Sequence, residues 1–257
     1  MENNLKEKLL SGKKPVGMFV GSGSATVVEC LSRTGLDFII IDNEHSPVEA
    51  ETSMELIRAA ELGDLYPMVR VREISRPAVL KLLDVGARGV IVPNVQSVDE
   101  VKTLIRYAKY APVGERGFCP TRKDGWGFDT AEGVPELMAR INGETLLIPQ
   151  CETVGALNAI EEIVALDGVD GIFVGPFDLS ISMGLPGRFD HPDFTAAVER
   201  IVKACHDAGK FCLLFAGTPE AMADGFRKGF DGMAYSIDTI ALIKGIKADI
   251  DAIRKRV

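Results

Sequence analysis

Short apolar runs recur along the chain, each a few residues after a glycine that ends a helical stretch. The glycines are Gly12, Gly35, Gly63, Gly86, Gly143, Gly168, Gly209 and Gly229. The runs that follow them are Val16–Val20, Phe38–Ile41, Tyr66–Arg70, Gly89–Val92, Leu146–Pro149, Gly171–Val174, Phe211–Phe215 and Gly232–Tyr235. A glycine past a helix end takes the left-handed conformation that closes the cap. The runs are continuously apolar rather than alternating, as expected of parallel strands covered on both faces. Polar punctuation marks the far end of the strands. Ser46-Pro47-Val48-Glu49 predicts a capping box with proline at the first helical position, and Ser97–Glu100 and Thr218-Pro219-Glu220 predict two more helix starts. Eight strand–helix units in 257 residues predict a (β/α)8 TIM barrel, a single domain over residues 1–257. A doubly wound open sheet is the weaker rival, since it rarely needs so many regular units. Two intervals break the rhythm, Tyr110–Thr130 and Gly175–Pro192, and loops of that length are expected to be lids or binding loops.

Composition narrows the function. A 46% hydrophobic and 26% charged chain is globular. Twenty-nine basic against 37 acidic side chains give a net charge of −8, which argues against nucleic acid or an anionic membrane as the main partner. The chain offers no apolar stretch of the roughly 20 residues that a bilayer span needs. Met1–Lys8 lacks the apolar core of a signal peptide. Five cysteines, odd in number and without a C-x-x-C pair, suit a reducing cytoplasm with the thiols as small core residues.

A barrel carries its chemistry at the C-terminal ends of its strands. There the sequence places Asp42, Glu44 and His45, then Arg70, Asn94 and Gln96, Gln150 and Glu152, Asp178, and finally Tyr235 and Ser236. No lysine stands at these ends, which disfavours a Schiff-base mechanism. Gly21-Ser22-Gly23-Ser24 lacks the third glycine of a dinucleotide fingerprint and reads best as a loop in which Ser24 caps the next helix. Glu152 and Asp178 read either as a hard-oxygen pair suited to Mg²⁺ or Mn²⁺ or as solvated acids, one of them favoured by a helix dipole. Arg70 reads as a fixed cation for a carboxylate or enolate oxygen, or as a structural ion pair. Asp42 could orient His45 as a general base, or His45 could be merely exposed.

Four segments together resemble the HpcH/HpaI aldolase family. They are Ile41-Asp42-Asn43-Glu44-His45, Gly86–Pro93, Pro149-Gln150-Cys151-Glu152-Thr153 and Gly168–Ser180, in family order over nearly the whole chain. The resemblance implies a metal-dependent class II pyruvate aldolase on a (β/α)8 barrel. Such an enzyme cleaves 4-hydroxy-2-oxo acids to pyruvate and an aldehyde through a metal-stabilised enolate. It implies Glu152 and Asp178 as ligands of Mg²⁺, Mn²⁺ or Co²⁺, and Arg70 at the keto oxygen. His45 and Asp42 are implied as the acid–base dyad, with Gln150 beside the metal and the backbone of Gly175, Pro176, Phe177 and Asp178 at the substrate carboxylate. Homohexamers with exchanged C-terminal helices are implied too, with Asp238–Val257 as the exchanged element.

After Gly114-Glu115-Arg116-Gly117, which fits the family, Phe118–Thr130 departs from the small-residue stretch expected next. That loop is expected to border the aldehyde side, with Arg116 and Arg122 near the mouth. Oxaloacetate decarboxylation and acyl-CoA cleavage are alternatives on the same site, the latter disfavoured by the lack of a basic nucleotide-binding extension. A non-catalytic 2-oxo-acid-binding barrel and a phosphate site at Gly217-Thr218 and Ser236 are the remaining readings.

Overall fold

A computed structural model describes residues 4–129 and 131–257. Eight parallel strands close into a barrel in sequence order. They are β1 (Val16–Val20), β2 (Phe38–Asp42), β3 (Tyr66–Arg70), β4 (Gly89–Val92), β5 (Leu146–Cys151), β6 (Gly171–Val174), β7 (Phe211–Ala216) and β8 (Gly232–Ile237). The outer ring comprises α2 (Ala25–Leu31), α3 (Ala50–Leu62), α4 (Arg76–Asp84), α5 (Val98–Ala108) and α6 (Val134–Glu144), then the short pair α7 (Val154–Asn158) and α8 (Ile160–Val164). It continues with α9 (Pro176–Ser182), α10 (Pro192–Asp207), α11 (Pro219–Arg227) and α12 (Asp238–Arg254). The chain is thus the expected (β/α)8 TIM barrel. A further helix, α1 (Leu5–Leu10), plugs the N-terminal end, with Leu5 and Leu9 buried among the interior side chains.

Successive strand residues point to opposite faces, so each strand supplies one row to the barrel interior. That interior is packed with Phe38, Ile40, Tyr66, Met68, Phe173 and Phe211 among others. Large side chains fit because neighbouring strands supply glycine. A Cβ on Gly17 would lie 2.1 Å from the Phe38 ring, and one on Gly171 2.3 Å from the Phe211 ring. Along three strands the inward row then changes from apolar to polar at its upper end. The series are Phe38–Ile40–Asp42, Tyr66–Met68–Arg70 and Leu146–Ile148–Gln150. This switch places the site on a dry floor.

Several local expectations are corrected. Gly143 lies inside α6, and Gly63 has φ −93° while Asp64 takes the left-handed turn at φ 55°. Ser46 does not cap a helix: α3 begins at Ala50, and Ser46 Oγ donates instead to the Asp42 carbonyl. Ser24, Ser97, Thr153 and Thr218 do cap, each accepting from a backbone N–H of the first turn. Cys151, Cys205 and Cys212 are core residues, but Cys30 and Cys119 are exposed.

The 110–130 loop, whose last residue Thr130 lies outside the described residues, runs beneath the barrel rather than over its mouth. Arg116 pairs with Asp84 at 2.7 Å and Arg122 with Glu61, acids at the C-terminal ends of α4 and α3. Helices that return from the mouth end at the opposite face, so both arginines are far from where they were expected. The reading of Met1–Lys8 falls partly on residues 1–3, outside the described residues. Among the described residues no helix is long and apolar enough to cross a membrane.

The interior packing makes a paired prediction. Gly171→Ala forces a methyl onto both the Phe211 ring and its carbonyl oxygen, at 2.3 and 2.6 Å, and should destabilise by about 1–3 kcal/mol. Gly143→Ala meets nothing within 4 Å and should stabilise by about 0.4–1 kcal/mol. Urea midpoints of the two variants check both signs.

Candidate active site

Asp42 and Arg70 stand directly opposite each other in the β2–β3 register. That register alone brings their side chains together. Arg70 Nε donates to Asp42 Oδ1 at 2.9 Å and Nη2 to Oδ2 at 2.7 Å, a two-pronged pair, and the guanidinium lies 4.9 Å above the Phe19 ring. A planar fork bound at two points and stacked on a ring has little freedom left. Burial alone would raise the Asp42 carboxyl. The Arg70 fork and the N–H groups of Glu44 and His45 outweigh it and hold Asp42 below the usual carboxylate range. Burial likewise works against the Arg70 charge, and Asp42 more than offsets it.

Glu44 approaches the third corner of the same guanidinium, 3.2 Å from Nη1. Its carboxyl is raised, first by burial and further by Asp42 and Asp178, against the pull of Arg70 and His45. Across the mouth, Glu152 follows β5 and is buried. Its Oε1 accepts from the Asn94 N–H at 2.6 Å and its Oε2 from the Gln150 amide. Asn94 offers that N–H from a left-handed backbone at φ 54°, a conformation that asparagine tolerates better than most residues. Burial, helped by Asp178 and Glu44, pushes the Glu152 carboxyl up to about 6. Gly175 leaves room for this arrangement, because a Cβ there would fall 2.5 Å from Glu152 Oε2. Asp178 sits in the first turn of α9, exposed at the mouth.

The site therefore gathers three interacting carboxyl groups, Glu44, Glu152 and Asp178, around one arginine whose charge Asp42 already balances. Repulsion from neighbouring acids helps burial raise Glu44 and Glu152, and a divalent cation would relieve it. Gln150 Oε1 is buried without a hydrogen-bond partner among the described residues, an acceptor left for water or ligand. No group of three or more His, Cys, Asp or Glu residues among those described forms a ligand cage. Glu152 and Asp178 are instead a two-carboxylate set, the kind that suits a hard ion keeping most of its waters.

The expected pairing of His45 with Asp42 is not found. Asp42 is committed to Arg70, and the His45 ring, 69% exposed, has Glu44 as its acidic neighbour, with Nε2 3.6 Å from Oε2. Only the His45 backbone N–H reaches Asp42, at 3.4 Å. The reason is lateral: the arginine on the adjacent strand lies closer to the aspartate than a ring three residues along a loop. Glu44, Asn94 and Phe19 gained no role from the sequence pattern. The signal for Glu44 was available, since it shares a segment with Asp42 and His45. Thr218 caps α11, its Oγ1 accepting from the Ala221 N–H at 3.2 Å.

The comparisons agree with this architecture. The family model described as HpcH/HpaI aldolase/citrate lyase matches residues 15–244. The 2-keto-3-deoxy-L-rhamnonate aldolase of Escherichia coli O1:K1 / APEC is 30% identical over 242 residues, covering 93% of this chain and 89% of that protein. The crystal structure of an HpcH/HpaI aldolase from Desulfitobacterium hafniense DCB-2 superposes with a TM-score of 0.89 at 29% identity, over 97% of this chain and 96% of that one. That of the citrate synthase SbnG gives 0.88 at 28% identity over 99% of both chains. By family match, relatives and fold together, the chain belongs to the HpcH/HpaI aldolase/citrate lyase family and is a carbon–carbon lyase.

Proposed function

We propose that the chain is a class II pyruvate aldolase that cleaves 4-hydroxy-2-oxo acids to pyruvate and an aldehyde. The observation that carries this reading is the clamped Arg70 facing the buried carboxyl of Glu152, held near pKa 6 beside Asp178 and Glu44. The aldolases among its relatives support it. Glu152 and Asp178 would hold a divalent ion, Mg²⁺, Mn²⁺ or Co²⁺, with Gln150 beside it, and that ion would supply Lewis-acid polarisation of the 2-oxo group.

Arg70 contributes a fixed positive group to the oxygen on which charge develops as the C3–C4 bond breaks. Because Asp42 and Phe19 hold it in place beforehand, little reorganisation is needed during the reaction. His45, with Glu44 beside it, takes the proton of the 4-hydroxyl. The electron pair of the C3–C4 bond passes to the pyruvate fragment, the aldehyde leaves, and a proton returned to C3 completes pyruvate. The Gly175–Asp178 backbone borders the carboxylate end of the substrate.

Decarboxylation of oxaloacetate is the second reading, favoured by one observation: Asp42 serves Arg70 and not His45. Loss of CO₂ needs the charge-stabilising groups but no base for a hydroxyl.

The protein is further proposed to assemble through α12. Ile243, Ile246, Ile250 and Ile253 repeat at alternating spacings of three and four and are all exposed. That is the apolar seam of paired helices, lacking its partner within the chain. Exchange of these helices in a homohexamer would cover it. The five free thiols suit a cytoplasmic setting.

Pyruvate release from 4-hydroxy-2-oxo acids, followed with lactate dehydrogenase, should require added Mn²⁺ or Mg²⁺ in stripped protein. It should fall at least about 10²-fold in Glu152→Ala and in Arg70→Ala. His45→Ala should lose about 10²–10⁴-fold in aldol cleavage while keeping oxaloacetate decarboxylation. Equal loss of both activities would remove His45 from the base role. Light scattering should show a hexamer for the native chain and a smaller species for the double variant Ile246→Asp, Ile250→Asp. An unchanged mass would move the interface elsewhere.

A further inference from the structure

With the 110–130 loop beneath the barrel, another surface must border the departing aldehyde. A groove of about 550 Å³ opens at the mouth and runs outward between α10 and α11 over β7. Its walls include Phe177, Phe189, Phe194, Val198 and Phe215. It joins the candidate active site at two points. Phe177 directly precedes Asp178. Phe215 packs edge-on to Phe19 at 5.9 Å, and Phe19 is the ring under the Arg70 guanidinium.

The rings form a continuous shelf. Phe177 meets Phe189 edge-on at 5.0 Å, and Phe189 meets Phe194 at 5.5 Å. Phe177 remains 55% exposed, so the shelf presents a bare ring at its mouth end. The lysines on the rim are matched by acids of the same groove. Lys228 pairs with Asp224 at 2.8 Å, and Lys244, which donates to the neutral Gly217 carbonyl at 2.9 Å, shares the lining with Glu199. A second carboxylate or a phosphate therefore meets no net positive charge here, and a chain of hydroxyls would lose hydrogen bonds to water against bare rings. One lining atom differs. Ser236 Oγ is buried, without a hydrogen-bond partner among the described residues, on a left-handed backbone at φ 54° near the end of β8. It is a polar point at the inner end of an apolar groove.

We propose that this groove is the aldehyde subsite and that it selects neutral apolar aldehydes, of alkyl or aryl type, with Ser236 meeting the aldehyde oxygen. This rests on the aldolase reading and adds the substrate class to it. The substrate in the cleavage direction is a 4-hydroxy-2-oxo acid with an apolar tail at C4. In the addition direction C3 of pyruvate forms a bond to the aldehyde carbon, and the aldehyde oxygen takes a proton to become the 4-hydroxyl.

The test measures addition of pyruvate to propanal, butanal, pentanal and hexanal, beside glyceraldehyde and succinic semialdehyde, with Mn²⁺ present. Deuterium exchange at C3 of pyruvate is recorded by NMR in the same samples and reports the pyruvate half without any aldehyde. The expected result is a kcat/KM that rises about fourfold per methylene, with both polar aldehydes below hexanal. Ala221→Trp, which fills the groove from an exposed position on α11, should reduce the hexanal-to-propanal ratio by about tenfold. A flat or falling series with exchange intact overturns the subsite alone. A rising series that Ala221→Trp leaves unaltered places the tail elsewhere and also overturns it. Absence of metal-dependent exchange overturns the aldolase reading, and this inference with it.

Discussion

A guanidinium clamped over a dry barrel is the constraint on which the site depends. Arg70 rises from an interior of aliphatic and aromatic side chains, where an unpaired charge would be very costly. Asp42, opposite it in register, satisfies two of its donors and is itself held ionised by the same contact. Arg70 also draws on Glu44 and Glu152, but burial and the neighbouring acids outweigh that pull. Both carboxyl groups are raised, and the mouth is built to take up positive charge.

The two ends of the barrel divide the work. At the N-terminal end, ion pairs serve structure: Lys109 is buried with its ammonium shared between Asp170 and backbone carbonyls, and Lys6 ties α1 to the same aspartate at 2.6 Å. Arg116, stacked 4.8 Å from Tyr110 and paired with Asp84, belongs to this set. At the C-terminal end, acids face acids. Gln150 Oε1 and Ser236 Oγ are buried there without partners among the described residues, as Tyr110 Oη and Arg116 Nε are below. Energy spent there on pre-organisation is recovered from packing and pairing below, as in other barrels with function at one face.

Relatedness sets the lyase class and leaves the substrates open. Chains of similar identity and almost full coverage include both an aldolase and a citrate synthase, so one scaffold carries different reactions. The aromatic shelf Phe177–Phe189–Phe194 belongs to the aldehyde side of the proposed reaction. It lies where the chain leaves β6, so it can change without disturbing the strand register that aligns Asp42 with Arg70.

Much of this protein is local and could be read from its residues. Each strand run and its turn follow from contiguous chemistry, and the period of two places Asp42, Arg70 and Gln150 on the inward face at the upper ends. Three of the predicted caps, at Ser24, Ser97 and Thr218, form because serine or threonine reaches an N–H within its own turn. What the residues did not disclose concerns choices between competing partners across the fold. Asp42 had His45 near in sequence and Arg70 distant by 28 positions, and only strand register made the arginine closer. Ser46 found the Asp42 carbonyl instead of a helix terminus. The 110–130 loop went beneath the barrel because Asp84 and Glu61, gathered there by two helix ends, offered its arginines their counter-charges. Spacing along the chain specifies which groups a segment presents. Which of them meet is decided by distance in three dimensions, and that distance exists only once the barrel has closed.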